Sequence, residues 1–352
     1  MKLLPVLLAM LCAAANAQPS ESRPDFMLVN EFIFTQAPFL TSHASTIVET
    51  PSGRLIAAWF GGTEEGKPDV RIWISSKMPG EEWTPAIPVT DTLGMPAWNP
   101  VLFQDGDRTW LYFKIGPSPR EWVGAYRISE DEGRAWSPMV YMPAGLTGPV
   151  RSKPIRLSDG TLLAGTSIEA GYRMDTAEAA PYKSWSGWVE RSTDEGMTWT
   201  RHGPITVPGQ PFGVIQPALW QTSSGDVRML LRSTNRIGRI VMASSRDGGL
   251  TWSPGRPTDL PNPNSAVDVV KLRDGRVVLV YNHALHGRDS IHIAISGDDG
   301  DTWSPPLLLE GGHGDFSYPA VIQSHDGLVH ITYTWRGTRI RHVVVDPMKL
   351  PD

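Results

Sequence analysis

Six positions with polar or ionisable side chains stand at comparable places along this chain, each at the head of a strand-like stretch: His43, Asn99, Arg151, Gln216, Asn264 and Tyr318. A second set follows further on in each stretch or just past it: Glu65, Asp69 and Arg71 in the loop 61–71, then Lys114, Glu169, Arg232, Asn282, Arg288 and Arg336. Lys153 and Asp268 lie beside the first set. The two sets are mixed in charge and rich in arginine. One arginine alone reads as a structural ion pair. Two or three converging on one place are different, because guanidinium groups repel unless an anion joins them, and a carboxylate or phosphate is the ligand they suit.

A repeat supplies the elements that would bring these residues together. Ser129-Glu130-Asp131-Glu132-Gly133 leads to Trp136, and the same pattern runs from Ser192 to Trp199, from Ser245 to Trp252 and from Ser296 to Trp303. A decayed copy spans Ser76 to Trp83, and the five tryptophans are 53, 63, 53 and 51 residues apart. In such a box the aspartate folds back on the turn, the glycine accepts positive φ and the tryptophan packs between sheets, so the box aspartates are turn residues without a catalytic role. Between the boxes lie strand–turn–strand stretches, Ala44–Ala58, Pro100–Phe113, Pro154–Thr166, Pro217–Leu231, Val267–Tyr281 and Pro319–Tyr333, with turns such as Asp159-Gly160, Asp274-Gly275 and Asp326-Gly327. Six such units of about 50 residues, each with roughly four strands, predict an all-β, six-bladed β-propeller with Asp-box turns. The last unit lacks a box, and the segment around Met27–Phe34 is expected to complete its sheet and close the ring. In that architecture the inner strands line a central channel, and both sets of residues face its mouth.

Residues 1–17, with Lys2, an apolar run and Ala15-Asn16-Ala17, read as a secretory signal peptide. Residues 18–25 would be an N-terminal lead and 26–352 a single propeller domain, periplasmic or secreted. The one cysteine, Cys12, falls in the leader, so the exported fold would use no disulfide, cysteine metal site or thiol chemistry. Forty per cent hydrophobic and 20% charged residues suit a globular domain, and 34 glycines with 31 prolines suit many turns. A net charge of -5 gives little support to a nucleic-acid partner. No other segment is apolar enough to span a membrane, the nine histidines lack metal-ligand spacing, and no cofactor is expected; a monomer is. Tyr172, Trp185 and Trp188 sit in a long insertion, where they would stack on a sugar or plug the blade.

The boxes and the six units resemble the sialidase (neuraminidase) superfamily, and more closely the bacterial predicted-neuraminidase group with BNR repeats. His43-Ala44-Ser45, Trp59-Phe60-Gly61-Gly62, Trp98-Asn99-Pro100 and Ser317-Tyr318-Pro319 carry the likeness. The resemblance implies an arginine clamp for a sugar carboxylate, a tyrosine nucleophile with a glutamate base, and an acid/base aspartate on a loop. By blade and spacing Tyr318 matches the nucleophile, Arg232 and Arg288 two members of the clamp, and Asp69 the acid/base. His43 stands where the first clamp arginine belongs, and Gln216 where the glutamate belongs. Glutamine cannot accept the phenolic proton.

These residues support a sialidase-like exo-glycosidase acting on a terminal acidic sugar, sialic acid or a relative. Tyr318 would be nucleophile, Asp69 or Glu65 acid/base and Glu169 a substitute base. Arg232 and Arg288 would hold the carboxylate, and Arg71, Arg151, Lys153, Asn99, Gln216, Asp268 and Arg336 would line the remaining site. A lyase acting at a uronic acid, for example a rhamnosyl-glucuronate, would instead use His43 with Tyr318 and the arginines. A non-catalytic glycan-binding propeller is the third reading.

Overall fold

Alternating β-branched and aromatic residues around Asp-Gly turns form the expected hairpins, and the hairpins grow into six four-stranded antiparallel sheets. The computed structural model describes residues 23–91, 94–171 and 183–351. The leader and lead, read at 1–17 and 18–25, lie outside the described residues apart from the last three of the lead, as does Tyr172. Blade one contains Thr41–Glu49, Leu55–Gly62, Arg71–Lys77 and Ile87–Pro88. Blades two to five follow the same order, beginning at Ala97–Asp105, Ile155–Arg156, Val214–Gln221 and Asp268–Lys271. Blade six holds Phe316–Gln323, Val329–Trp335 and Arg339–Val345, and its outermost strand is Met27–Phe32, from the start of the chain. This is a six-bladed propeller closed by its N-terminal strand. A single 3-10 turn, Pro347–Lys349, is the only helix of the described residues.

Burial on both faces of each blade holds the ring together. Buried clusters span neighbouring sheets, as where Val278, Val280 and Ile293 of blade five meet Val321, Ile331 and Tyr333 of blade six. The boxes clip the outer turns to this core. In each, the serine hydroxyl donates to the aspartate, and the aspartate accepts from a backbone N–H four residues on, as Asp131 does from Ala135 at 2.8 Å. Trp136 packs on a cluster shared by blades one and two. Gly300 shows why the box needs glycine: its φ is +96°, and a Cβ there would lie 2.7 Å from the Trp220 ring of the preceding blade.

Two features shape the channel. The inner strands of blades one, two, four and six are interrupted by a bulge, between His43 and Thr46, Trp98 and Val101, Ile215 and Ala218, and Ser317 and Ala320. In each bulge one residue takes the left-handed conformation: Ala44, Asn99, Gln216 and Tyr318, with φ of 55°, 36°, 56° and 53°. Blade three departs from this pattern, for its inner strand has only two residues and the segment before it crosses the channel. Arg151 donates to the carbonyl of Pro319 in blade six, on the opposite side of the ring, at 2.5 Å. Lys153 reaches Asp268 and the carbonyl of Val269 in blade five at 3.1 and 2.7 Å. The segment floors the site.

Closure depends on Glu31 of the N-terminal strand. One carboxylate oxygen accepts from Lys77 and Trp83 of blade one and from His342 of blade six, each at 2.9 Å. His342 in turn meets His330 at 3.0 Å. Burial would raise the Glu31 pKa, but the bonds from His342, Lys77 and Trp83 outweigh it and hold it down at about 2. The folded value is depressed, so this contribution is complete above the ordinary value of 4.5 and lost as pH falls towards about 2. Glu31→Ala is predicted to cost about 2 kcal/mol in urea unfolding at neutral pH. Glu64→Ala, on the exposed loop, should leave stability within about 0.5 kcal/mol.

Candidate active site

Tyr318 enters the channel mouth because the blade-six bulge turns it out of the strand. A bulky residue held at positive φ stores local strain, and such strain gathers at functional sites. Three guanidinium groups surround its ring, with Arg151, Arg288 and Arg232 at 5.5, 5.6 and 5.9 Å from the centroid. Arg232 also donates to the phenol oxygen at 3.0 Å. The three arginines come from blades three, five and four, so only the closed ring assembles them.

Their partners leave much of this charge uncompensated. Arg232 is held by neutral acceptors, the side-chain oxygens of Asn264 at 2.8 Å and Gln216 at 3.3 Å, and lies 5.6 Å over the Trp185 ring. Arg288 donates to the Asn264 carbonyl at 2.7 Å, and its nearest acid is Asp315 at 3.8 Å. Arg151 is buried beneath the tyrosine, with Nε and one terminal nitrogen lacking a partner. Burial pushes its pKa down to about 10, with Asp268 opposing, so it stays charged at neutral pH. Arg232 and Arg288 are thus placed to meet a ligand, while Arg151 acts from below. Gln216 matters here because a glutamate would have paired Arg232; the amide leaves its charge for something else.

His43 stands against Tyr318, ring centroids 4.3 Å apart, and its Nδ1 is out of solvent with no partner. Burial first, then Arg288, Arg151 and Arg232, push its pKa down to about 3, so it is a neutral imidazole at pH 7. Glu169 sits beyond Trp185, which donates to it; burial raises its pKa against the pull of Arg232 and Arg120.

The loop 61–71 carries three carboxylates: Glu64 is exposed and pairs with Lys67 at 3.6 Å, and Glu65 and Asp69 differ in their surroundings. Asp69 accepts from the backbone N–H and hydroxyl of Thr63, both at 2.8 Å. Burial opposes those bonds, but they and the Arg71 charge hold its pKa below the ordinary value. With Arg71 it lines an outer groove beside Phe39 and Trp73. Glu65 is solvent-exposed at the loop surface, yet the protein packed around its carboxyl raises its pKa by desolvation, with Asp315 adding to the effect and Arg288 and Arg232 opposing it. The loop therefore presents Glu65 to the arginines and spends Asp69 on its own turn.

Several other residues singled out by sequence serve the frame. Lys153 and Asp268 pair with each other, and Asp268 also accepts from the Val321 N–H at 2.9 Å. Asn282 ties Ser290 and Phe316 carbonyls together. Lys114 is fully buried and donates to the Pro149 carbonyl at 2.7 Å; burial lowers its pKa to about 7. Asn99 is buried at the blade-two bulge. Arg336 lies outside the pocket, stacked 4.4 Å over Trp335. Trp188 is covered by Arg201 rather than by the site. Asp315 escaped sequence reading because it lies in no repeated motif, and the double role of Asn264, side chain to Arg232 and carbonyl to Arg288, is set by contacts that its place in the repeat does not show. Among the described residues, no group of three His, Cys, Asp or Glu could hold a metal ion.

Comparison with known proteins follows this geometry. The BNR repeat-like domain family matches residues 53–331. A sialidase of Bacteroides fragilis is 26% identical over 244 residues, covering 64% of this chain and 41% of that protein, so the chain spans less than half the length of this relative. Among solved structures, a Dyadobacter fermentans protein of unknown function superposes with a TM-score of 0.75 at 18% identity, covering 91% of this chain and 98% of that one. A Hadza microbial sialidase superposes with a TM-score of 0.71 at 20% identity, covering 88% of this chain and 66% of that one. Both share the propeller fold. The match over most of the repeats, together with the box geometry, means that this chain belongs to the BNR repeat-like domain family.

Proposed function

We propose that this protein is an exported, sialidase-like glycoside hydrolase that removes a terminal acidic sugar from a glycan. The observation that carries the reading is the set of Arg151, Arg232 and Arg288 around Tyr318, in which Arg288 reaches Asp315 only at 3.8 Å and Arg232, among the described residues, lacks a carboxylate partner. A sugar carboxylate would supply it. The sialidase name of the Bacteroides relative supports the substrate class. Export rests on the leader read at residues 1–17.

In this reading Arg232 and Arg288 grip the carboxylate and set the anomeric carbon over Tyr318. The phenol oxygen attacks that carbon as the glycosidic C–O bond breaks, and Glu65 gives its proton to the leaving oxygen. Arg232 on the phenol oxygen and the cations about the ring favour the negative charge that grows there. The phenolic proton passes to His43, whose ring centroid lies 4.3 Å from that of the tyrosine. His43 is a weak base in the empty site, first because it is buried and then because three arginines face it. The substrate carboxylate offsets those charges and makes the imidazole more basic once substrate is bound. Water then attacks the anomeric carbon and breaks the glycosyl–tyrosine bond, Glu65 takes the water proton, and His43 returns its proton to the released phenolate.

The unpartnered Nδ1 of His43 also favours a second reading. At a uronic acid, His43 would remove the C5 proton while Tyr318 protonates the leaving oxygen, giving an unsaturated sugar. Product analysis separates the two. Hydrolysis predicts release of the saturated acidic sugar from sialosides, reduced roughly a thousandfold in Tyr318→Phe. An ultraviolet-absorbing unsaturated uronate, lost in His43→Ala, would replace this reading with elimination.

The choice between the loop carboxylates gives a further prediction. Glu65→Gln should slow turnover of natural glycosides by roughly a hundredfold to ten-thousandfold, and much less for aryl glycosides whose leaving group needs no proton. Because the Glu65 pKa is raised and its acid form is the active one, kcat/KM should fall as pH rises through that value. Asp69→Asn should change KM or stability more than this limb. A lost limb in Asp69→Asn with an intact one in Glu65→Gln would reverse the assignment.

A further inference from the structure

From the pocket mouth a line of stacked arginines runs outward along blade six. Arg336 lies 4.4 Å over the Trp335 ring, and Arg339 lies 5.7 Å over Trp335 and 4.9 Å over Phe32. Arg341 lies 4.0 Å over Phe32, and Phe32 and Trp335 meet edge to face at 5.1 Å. Register explains the order of four of them: Trp335 pairs with Arg339, and Arg341 pairs with Phe32 on the closing strand, so these side chains share one face beside blade five, and Arg336, just past the strand, joins them by stacking on Trp335. Arg341 is paired with Glu310 of blade five at 3.2 Å. Among the described residues, neither Arg336 nor Arg339 has an acid partner or a hydrogen-bond acceptor for its side chain. Stacking fixes each guanidinium plane and leaves its N–H fork open.

The line is continuous with the pocket. The Arg336 N–H donates to the Asp315 carbonyl at 2.6 Å, and the Asp315 side chain faces Arg288. Two uncompensated, pre-oriented guanidiniums on a protein of net charge -5 are a local exception to its overall sign. Both lie on the one Trp335 indole, at 4.4 and 5.7 Å from its centroid, and two neighbouring cations suit a chain with repeated carboxylates.

We propose that Arg336 and Arg339 form an outer subsite for the next acidic units of an oligomeric glycan whose terminal acidic sugar occupies the pocket. This rests on the pocket reading above and adds to it: the natural substrate is an oligomer bearing several carboxylates, not a single acidic sugar on a neutral chain.

The test is calorimetric binding of the full chain to N-acetylneuraminic acid and to galacturonic acid, each as monomer and as linear tetramer. The tetramer of at least one series is expected to bind more tightly than its monomer. Arg336→Gln/Arg339→Gln should weaken that tetramer roughly threefold to tenfold, and added salt should shrink its advantage. Monomer affinity should stay within about twofold, and an unchanged melting temperature excludes misfolding. A tetramer no tighter than its monomer, or an advantage unaltered in the double variant, overturns the outer subsite and leaves the pocket standing. Arg232→Ala/Arg288→Ala separates the readings from the other side, for it should abolish monomer binding while salt-sensitive tetramer binding remains. Wild-type protein that binds neither monomer, but holds a tetramer through Arg336 and Arg339, counts against the pocket and for the rim; no binding of either tetramer overturns both.

Discussion

Three guanidinium charges around one phenol ring repel one another, and the closed ring of blades keeps them together. Arg151, Arg232 and Arg288 come from three different blades and meet only because the sheets are fixed around one axis. The cost is visible in their surroundings. Arg151 is buried with a single backbone acceptor, and His43 beside them is forced to stay neutral. Such an arrangement is costly in an empty site and becomes favourable when a carboxylate enters. Closure through Glu31 and the blade-three segment under the channel are therefore parts of the site as much as of the fold.

Replacing two expected residues redistributes these charges rather than dismantling the site. Gln216 accepts a hydrogen bond from Arg232 without neutralising it. His43 leaves the first position of the clamp without a cation, yet Arg151 supplies one from the far side of the ring. In the mechanism proposed above, the chemistry passes to groups that can titrate in this field. Glu65 is kept protonated more readily by its surroundings, and His43 waits for the substrate charge. In the loop, Thr63 decides the division of labour, because a carboxylate already accepting two hydrogen bonds is a poor proton donor.

Much of the architecture was legible because it repeats. A tryptophan every fifty-odd residues and Asp-Gly turns between strands impose one local structure again and again, and six sheets with an N-terminal closing strand follow from packing them. Tyr318, Arg232 and Arg288 were legible for the same reason, being at equivalent places in that repeat. What breaks the repeat was not. The crossing of residues 150–154 depends on a blade whose inner strand is shortened to two residues, and no spacing rule marks it. The preference for Glu65 over Asp69 depends on a hydrogen bond within a loop. Lys153 and Asp268 looked like channel residues and are a cross-ring pair, since their partners lie 115 positions apart in sequence.

If the arginine set binds a carboxylate, replacing that carboxylate by an uncharged group must weaken binding. Calorimetric titration of the protein with an acidic sugar and with its carboxamide, alike in shape and different in charge, isolates that contact. The account predicts that the acid binds and that the amide binds at least roughly tenfold more weakly, as expected when a charge-assisted, two-arginine contact is lost. Equal affinity for acid and amide, or tighter binding of the amide, would contradict it.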